Sequence, residues 1–226
     1  MRGRSWPVVL VAVIAAACSS TGAQSDAAAD FVPSAADPNP ALRIQGIVTE
    51  AFQGGQHVRA DQRVAYTLSP PIGGAHDAAW ATCSGVVYPE PVRSENLVHS
   101  LEHGAVWVAY DPERITGDGV DALAERVDGS PYTVMSPYPG LKAPISVQAW
   151  GHQLMVSDPA DVRIDQFIAA LRANPNTTPE PGASCAPLGP GLFDPDGPPP
   201  FVPAPPQSAI DGGAVVAERE SGRAGG

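Results

Sequence analysis

The sequence predicts one small α+β domain with a mixed or antiparallel sheet and about three helices, flanked by disordered tails. Two observations predict this class. Apolar residues recur at helical spacing in three segments and form short alternating or continuous runs between them, in mixed order. Proline and glycine contribute 26 and 23 of the 226 residues and charged residues only 16%, which excludes one uniform globule. The predicted domain, residues 42–174, is long enough for one hydrophobic core.

The first 17 residues predict a signal peptide. Arg2 and Arg4 precede an apolar run over residues 8–17, which is too short to span a bilayer as a helix. Small residues just before Cys18 resemble a bacterial lipobox, so cleavage would leave Cys18 as the lipidated first residue. An ordinary secretory signal is the alternative. Both readings place the protein outside the cytoplasm, and the first predicts a lipid anchor on the outer face of the cell membrane.

The predicted tails differ from the domain in composition. Residues 18–41 are rich in Ser, Ala, Asp and Pro, which predicts a flexible tether after the lipidated cysteine. Residues 175–226 are rich in Pro and Gly, which predicts a disordered or polyproline-like tail. The net charge of −11 argues against nucleic-acid binding, because contacts to phosphates need clustered cations.

Short apolar segments predict the strands. Alternation predicts a strand at 43–50, and residues 64–68 and 132–136 are further short candidates. A continuous apolar run at 105–110 predicts a central strand buried on both faces. Residues 145–149 and 154–157 predict a hairpin, with Gly151 and His152 as a type II′ turn.

Three segments carry helical periodicity. Ser94 is the predicted N-cap of a helix over 95–103, and Gly104 is its left-handed exit. Asp118 is the predicted cap of a second helix. Asp158, followed by Pro159, is the predicted cap of a third helix that ends before residue 175.

Cysteine usage agrees with an oxidising compartment. The chain has three cysteines, and lipidation of Cys18 leaves Cys83 and Cys185 as a pair. A disulfide between them is the expectation for a secreted protein. A Cys83 thiolate acting as a metal ligand is the alternative.

The main candidate for a functional site is a histidine pair on the first helix. His99 and His103 lie one turn apart, on the face opposite the apolar residues of that helix, so both imidazoles can bind one divalent metal ion. Glu102, between the two faces, could orient a ligand, bind the ion or act as a base. Without a metal, these side chains would be hydrogen-bonded structural residues.

Two further histidines follow glycine pairs. His76 ends a loop stiffened by two prolines, and His57 follows Gly54 and Gly55, so both are predicted to complete the metal site. Imidazole suits zinc and copper. Met135 is a candidate axial ligand, whereas His152 is predicted to be solvated.

The string His99 to His103 also fits the H-x-x-E-H pattern of a metallohydrolase. In that hypothesis Glu102 is the general base on a metal-bound water. The pattern needs a distant glutamate ligand, for which Glu113 and Glu125 are unconvincing candidates. The sequence therefore favours a non-enzymatic protein without deciding the matter.

Three longer motifs carry a resemblance to a known family. They are PPIGGAH at 70–76, NLVHSLEHGAVWVAYDP at 96–112 and MSPYPGLKAPISVQAWG at 135–151. Over residues 44–173 the chain resembles the bacterial domain-of-unknown-function family 3105, whose members look like secreted or membrane-tethered single domains, chiefly from actinobacteria. The resemblance implies no established activity. It implies that the family pattern contains the following residues and not His152: His57, His76, His99, Glu102 and His103.

These observations predict an extracytoplasmic lipoprotein that binds zinc or copper through its histidines. The alternative is an envelope binding or scaffold module without metal, which would dock on an unidentified envelope partner.

Overall fold

The computed structural model describes residues 28–189 and 191–206 and the backbone of residues 215 and 216. The predicted signal peptide and Cys18 lie outside the described residues. Within the described part of the chain, no helix is long and apolar enough to cross a membrane.

The centre of the fold is a six-stranded mixed sheet. Its strands are β1 (Val48–Thr49), β5 (Ser84–Val87), β6 (Val106–Tyr110), β7 (Thr133–Pro137), β8 (Ile145–Ala149) and β9 (His152–Val156), in the spatial order β1-β9-β8-β6-β7-β5. Strand β6 pairs antiparallel with β8 and parallel with β7. With three helices, this sheet confirms the predicted α+β class.

Four further short strands form two pairs outside this sheet. Strand β2 (His57–Val58) pairs in parallel with β4 (His76–Asp77). Strand β3 (Val64–Ala65) pairs in parallel with β10 (Val215–Val216).

The helices lie on opposite faces of the sheet. Helix α1 (Ser94–Glu102) packs on the face that carries Trp107 and Ala109. Helix α3 (Val162–Leu171) packs on the other face, and helix α2 (Asp118–Ala124) contributes Leu123 to the same core. Strand β6 is buried at every position, which confirms the predicted central strand.

Helix α1 ends at a position that only glycine suits well. Gly104 has φ +96°, and a Cβ there would lie 2.9 Å from Thr178 Oγ1. The predicted left-handed exit is therefore confirmed. The turn sends the chain directly into β6, so the end of α1 is held against the start of the central strand.

Several predicted boundaries need correction. The strand predicted over residues 43–50 shortens to the two-residue strand β1, because Arg43 ends a 3-10 helix (Pro40–Arg43) and the chain turns at Gly46, where φ is +87°. Helix α3 is capped by Asp161, whose side chain accepts the Arg163 N–H, and Asp158 only forms the preceding turn.

The β8–β9 turn lies one residue earlier in the chain than the sequence predicts. Trp150 and Gly151 form the loop, and His152 is already the first residue of β9, paired with Ala149.

Parts of both predicted tails pack against the domain, so the domain extends beyond residues 42–174 on each side. On the N-terminal side, Ala41 is fully buried and the Asn174 amide donates to the Pro38 carbonyl over 3.0 Å. On the C-terminal side, Phe193 is only 1% exposed and the Arg93 N–H donates to the Pro199 carbonyl over 3.3 Å. The described residues of the C-terminal segment therefore contact the domain as far as Ala204 despite their composition, because single apolar side chains pack in or against its core.

The predicted disulfide joins Cys83 to Cys185 with a Cα–Cα distance of 4.7 Å. This bond fastens the segment after residue 175 to the α1 side of the domain. It also removes Cys83 from the candidate metal ligands.

Candidate metal centre

Three structural elements bring four candidate ligands together. The parallel pairing of β2 with β4 places His57 opposite His76. Helix α1 contributes His99 and Glu102, which share a face because they are three residues apart. One nitrogen from each imidazole and one carboxylate oxygen lie within 4.8 Å of one another, a spread that a single ion can bridge.

Backbone carbonyls fix the orientation of the buried rings. The Nδ1–H of His76 donates to the Gly74 carbonyl over 2.8 Å, and that of His99 donates to the Asp77 carbonyl over 2.6 Å. A carbonyl oxygen only accepts, so each Nδ1 carries the hydrogen. Each Nε2 then keeps its lone pair for a ligand, which is the arrangement usual around metal-bound imidazoles.

The closest approach in the cluster joins His76 to Glu102. Their Nε2 and Oε2 atoms lie 2.8 Å apart, and both side chains are fully buried. Neither atom has a partner in hydrogen-bond geometry among the described residues. Two electron-rich atoms at this distance repel each other unless a proton or a cation lies with them.

The protonation states suit metal binding. Burial lowers the pKa of His99 to about 4, and the neighbouring His76 adds to the shift. Burial alone would raise the pKa of Glu102, but a proton or positive charge shared with His76, together with the Gly55 N–H, outweighs it, and the pKa falls below its usual value. At neutral pH, His99 is therefore a neutral imidazole and Glu102 an ionised carboxylate.

The glycine pair before His57 is needed for close approach. The Gly55 N–H donates to Glu102 Oε1 over 2.6 Å. A Cβ on Gly54 would lie 2.7 Å from the same oxygen. The backbone of the Gly54–Gly55 loop thus holds Oε1 of Glu102, and Oε2 of the same carboxylate faces His76.

A second group shares one member with the first. His99, His103 and Glu180 also offer ligand atoms within 4.8 Å of one another. His103 is oriented by its Nδ1–H, which donates to the Ser184 carbonyl over 2.7 Å, and its Nε2 lies 3.4 Å from Glu180 Oε2. Burial lowers the pKa of His103, so this imidazole is also neutral at neutral pH.

The structure therefore separates the histidines that the sequence placed together. His103 lies beside His99, with ring centroids 4.6 Å apart, but it is not in the group that contains His57, His76 and Glu102. The i, i+4 spacing brought the two rings together, and the loops around them decided which ligands each one meets.

Sequence reasoning missed Glu180 and Trp80. Glu180 was assigned to the disordered tail, although Cys185, five residues later, was a signal that this segment returns to the domain. The Trp80 ring lies beside the rings of His99 and His103, at centroid distances of 5.6 and 4.8 Å.

The remaining sequence candidates lie elsewhere. His152 was predicted to be solvated, but it is 7% exposed, because Nδ1 donates to the Trp150 carbonyl and Nε2 lies 3.0 Å from the Asn39 amide. Met135 lies in the core on the α3 face. Both are outside the two ligand groups.

The geometry departs from the expectation for an H-x-x-E-H hydrolase. In that pattern both histidines bind one ion and the glutamate stays open to a water. Here the two oxygens of Glu102 face the Gly55 N–H and His76. Both oxygens of Glu102 thus face protein groups, unlike the open glutamate that the hydrolase hypothesis needs.

The family comparison agrees with the sequence motifs. The family model described as "Protein of unknown function (DUF3105)" matches residues 57–187, more than half of the chain. The protein belongs to this family. The matched range includes both ligand groups and the disulfide. No curated protein and no solved structure matches the chain.

Proposed function

We propose that this protein is an extracytoplasmic, lipid-anchored protein that binds one divalent transition metal ion, Zn²⁺ or Cu²⁺. The ligands are His57, His76, His99 and Glu102. The single observation that carries the proposal is the 2.8 Å separation of the buried His76 Nε2 and Glu102 Oε2, without hydrogen-bond geometry.

A metal ion would satisfy what the fold leaves unsatisfied there. Buried polar atoms in folded proteins nearly always have partners, and a lone pair facing a carboxylate is unfavourable. Binding to a cation turns both atoms into ligands. The Nδ1 hydrogen bonds of His76 and His99 then act as the outer contacts that hold the rings in place.

The ligand set favours zinc or copper over magnesium or calcium. Three imidazole nitrogens and one carboxylate oxygen suit four-coordinate zinc, and imidazole is also a good copper ligand. Magnesium and calcium prefer oxygen ligands. Metal analysis of the purified protein distinguishes zinc from copper.

The sequence supports the location. The run that ends at Cys18 predicts lipidation, and the Cys83–Cys185 disulfide is typical of an oxidising compartment. The tether that the sequence predicts after Cys18 would give the domain reach from the membrane surface.

Metal analysis of the full chain, expressed without a histidine tag and solubilised in detergent, tests the metal site. We expect one equivalent of zinc or copper per chain and a rise in melting temperature on metal addition, since the ion binds only the folded arrangement. His76→Ala should abolish both effects.

His152→Gln is the matched control, because it alters a buried histidine outside both ligand groups. It should change stability without changing metal stoichiometry. Calorimetry that finds neither zinc nor copper binding tighter than about 10 µM, roughly 7 kcal/mol, would overturn the proposal. A metal-free envelope binding module would then be the better description.

The anchor is tested separately. Cys18→Ser should release the protein from the membrane fraction or leave its signal peptide uncleaved. A variant that fractionates and migrates like the native chain contradicts the lipoprotein assignment and leaves the metal site unaffected.

A further inference from the structure

We propose that His103 and Glu180 form a loading station through which the metal ion reaches the inner group of His57, His76, His99 and Glu102. This inference rests on the proposed metal site. It assigns a role to the two candidate ligands that the inner group does not use.

Each group has one exposed member, the neutral imidazole of His57 in the inner group and the carboxylate of Glu180 in the other. The side chain of Glu180 is 45% exposed, whereas His103, His76 and Glu102 have side chains that are 4%, 0% and 0% exposed. Glu180 is therefore the one carboxylate of the two groups that meets solvent. Its negative charge at the surface attracts a cation, and the imidazole next to it provides the first nitrogen ligand.

His99 connects the station to the inner group. It is a member of both groups, and its Nδ1 is committed to the Asp77 carbonyl, so only Nε2 can bind an ion. One nitrogen cannot serve two ions at once, and the groups therefore compete for His99. An ion can be held by His99 while His103 and Glu180 are exchanged for the inner ligands.

The segment around Glu180 is fixed rather than loose. The Glu180 N–H donates to the Glu102 carbonyl over 3.2 Å, and Tyr132 donates its hydroxyl hydrogen to the Ala183 carbonyl over 2.8 Å. The disulfide at Cys185 completes this attachment. The same segment orients His103 through the Ser184 carbonyl.

Trp80 closes the side of the station. Its ring lies beside both histidine rings, and its Nε1–H donates to the Ala186 carbonyl over 2.9 Å. The indole thus covers one side of the two imidazole rings and ties them to the segment that follows Glu180.

Rapid-mixing kinetics with Zn²⁺ alone tests the station on the full chain in detergent. Glu180→Gln removes the charge and keeps the size of the side chain. We expect uptake of Zn²⁺, and its release to a chelator, to slow by at least about threefold each, whereas the equilibrium affinity changes much less. Glu180→Asp should restore part of the rate.

Glu113→Gln is the matched control, because it removes one exposed negative charge beyond the end of β6 that is remote from α1. It should leave both rates unchanged. Melting temperatures of all variants check that each is folded.

Three results would overturn the loading station while the metal site stands. Unchanged rates in Glu180→Gln would mean that the ion enters past the exposed His57. A native chain that binds two Zn²⁺ ions, of which Glu180→Gln loses one, would make His99, His103 and Glu180 a second resident site. Faster release with lower affinity would make Glu180 a permanent ligand. Absence of Zn²⁺ and Cu²⁺ binding by the native chain would instead overturn the proposed function itself.

Discussion

The two faces of the central sheet are built on different principles. The α3 face is filled by apolar side chains, among them Val106, Leu154 and Phe167, all fully buried. The α1 face combines an apolar core with buried polar side chains, including Glu95, His99 and Glu102. Every residue of α1 is buried, although only three of its nine residues are aliphatic.

Unpartnered polar atoms sharpen this contrast. Gln148 pairs with Trp107 across the strands and therefore lies on the α1 face, and neither atom of its amide has a hydrogen-bond partner among the described residues. His76 Nε2 and Glu102 Oε2 likewise have no hydrogen-bond partner among the described residues. Such atoms lower stability, so the α1 face carries a cost that the apolar α3 face does not, as expected if the proposed metal site lies there.

The largest expected effect comes from the disulfide, which anchors the C-terminal segment to the α1 face. Replacing Cys83 and Cys185 by Ser opens a loop with a sequence separation of 102 residues. For a loop of this length we expect a loss of about 4–5 kcal/mol in the free energy of unfolding. Denaturant titration measures it. A loss under about 1 kcal/mol would show that packing alone holds the segment.

The apolar face is probed by Phe167→Ala. Phe167 is fully buried against the sheet, so its truncation should lower the free energy of unfolding by about 3–5 kcal/mol. Metal affinity of the folded fraction should not change, because the site lies on the other face. A loss of affinity as large as the loss of stability would break the separation between the faces.

The opposite pattern is expected for Glu102→Gln. The amide keeps the size of the side chain but loses the charge, so zinc or copper affinity should fall by about 100-fold, or about 3 kcal/mol. The melting temperature of the metal-free protein should change little. Calorimetry and thermal unfolding on the same sample measure both. A large drop in stability with unchanged affinity would make Glu102 structural.

The smallest effect is a dependence of stability on pH. The folded pKa of His99, about 4, lies below the unfolded value of 6.5. The unfolded chain therefore takes up a proton first, and the metal-free protein loses stability as the pH falls from 6.5 toward 4. At about pH 5 the loss from His99 should be about 2 kcal/mol. His99→Gln should reduce this slope, and an equal slope in the variant would contradict the assignment.

The site was partly predictable because some of its geometry is local. The i, i+4 spacing of His99 and His103 on a helix brings two imidazoles together in any fold that contains the helix. The glycine pairs before His57 and His76 likewise indicated tight loops. The partners of these side chains could not be predicted from local spacing, because the pairing of β2 with β4 joins residues 19 positions apart.

The sequence by itself determined the fold class, the three helices and the central strand, because hydrophobic periodicity and turn residues are local properties of the chain. It also indicated the disulfide pairing, because lipidation of one of three cysteines leaves a single pair. Only the tertiary structure decided that Glu102 faces His76, that His103 meets Glu180, and that the described residues between 175 and 204 pack on the domain. These outcomes depend on contacts between segments far apart in the chain. A proline-rich composition lowers the tendency to fold alone, but it does not prevent a segment from packing where a disulfide and a buried Phe193 hold it.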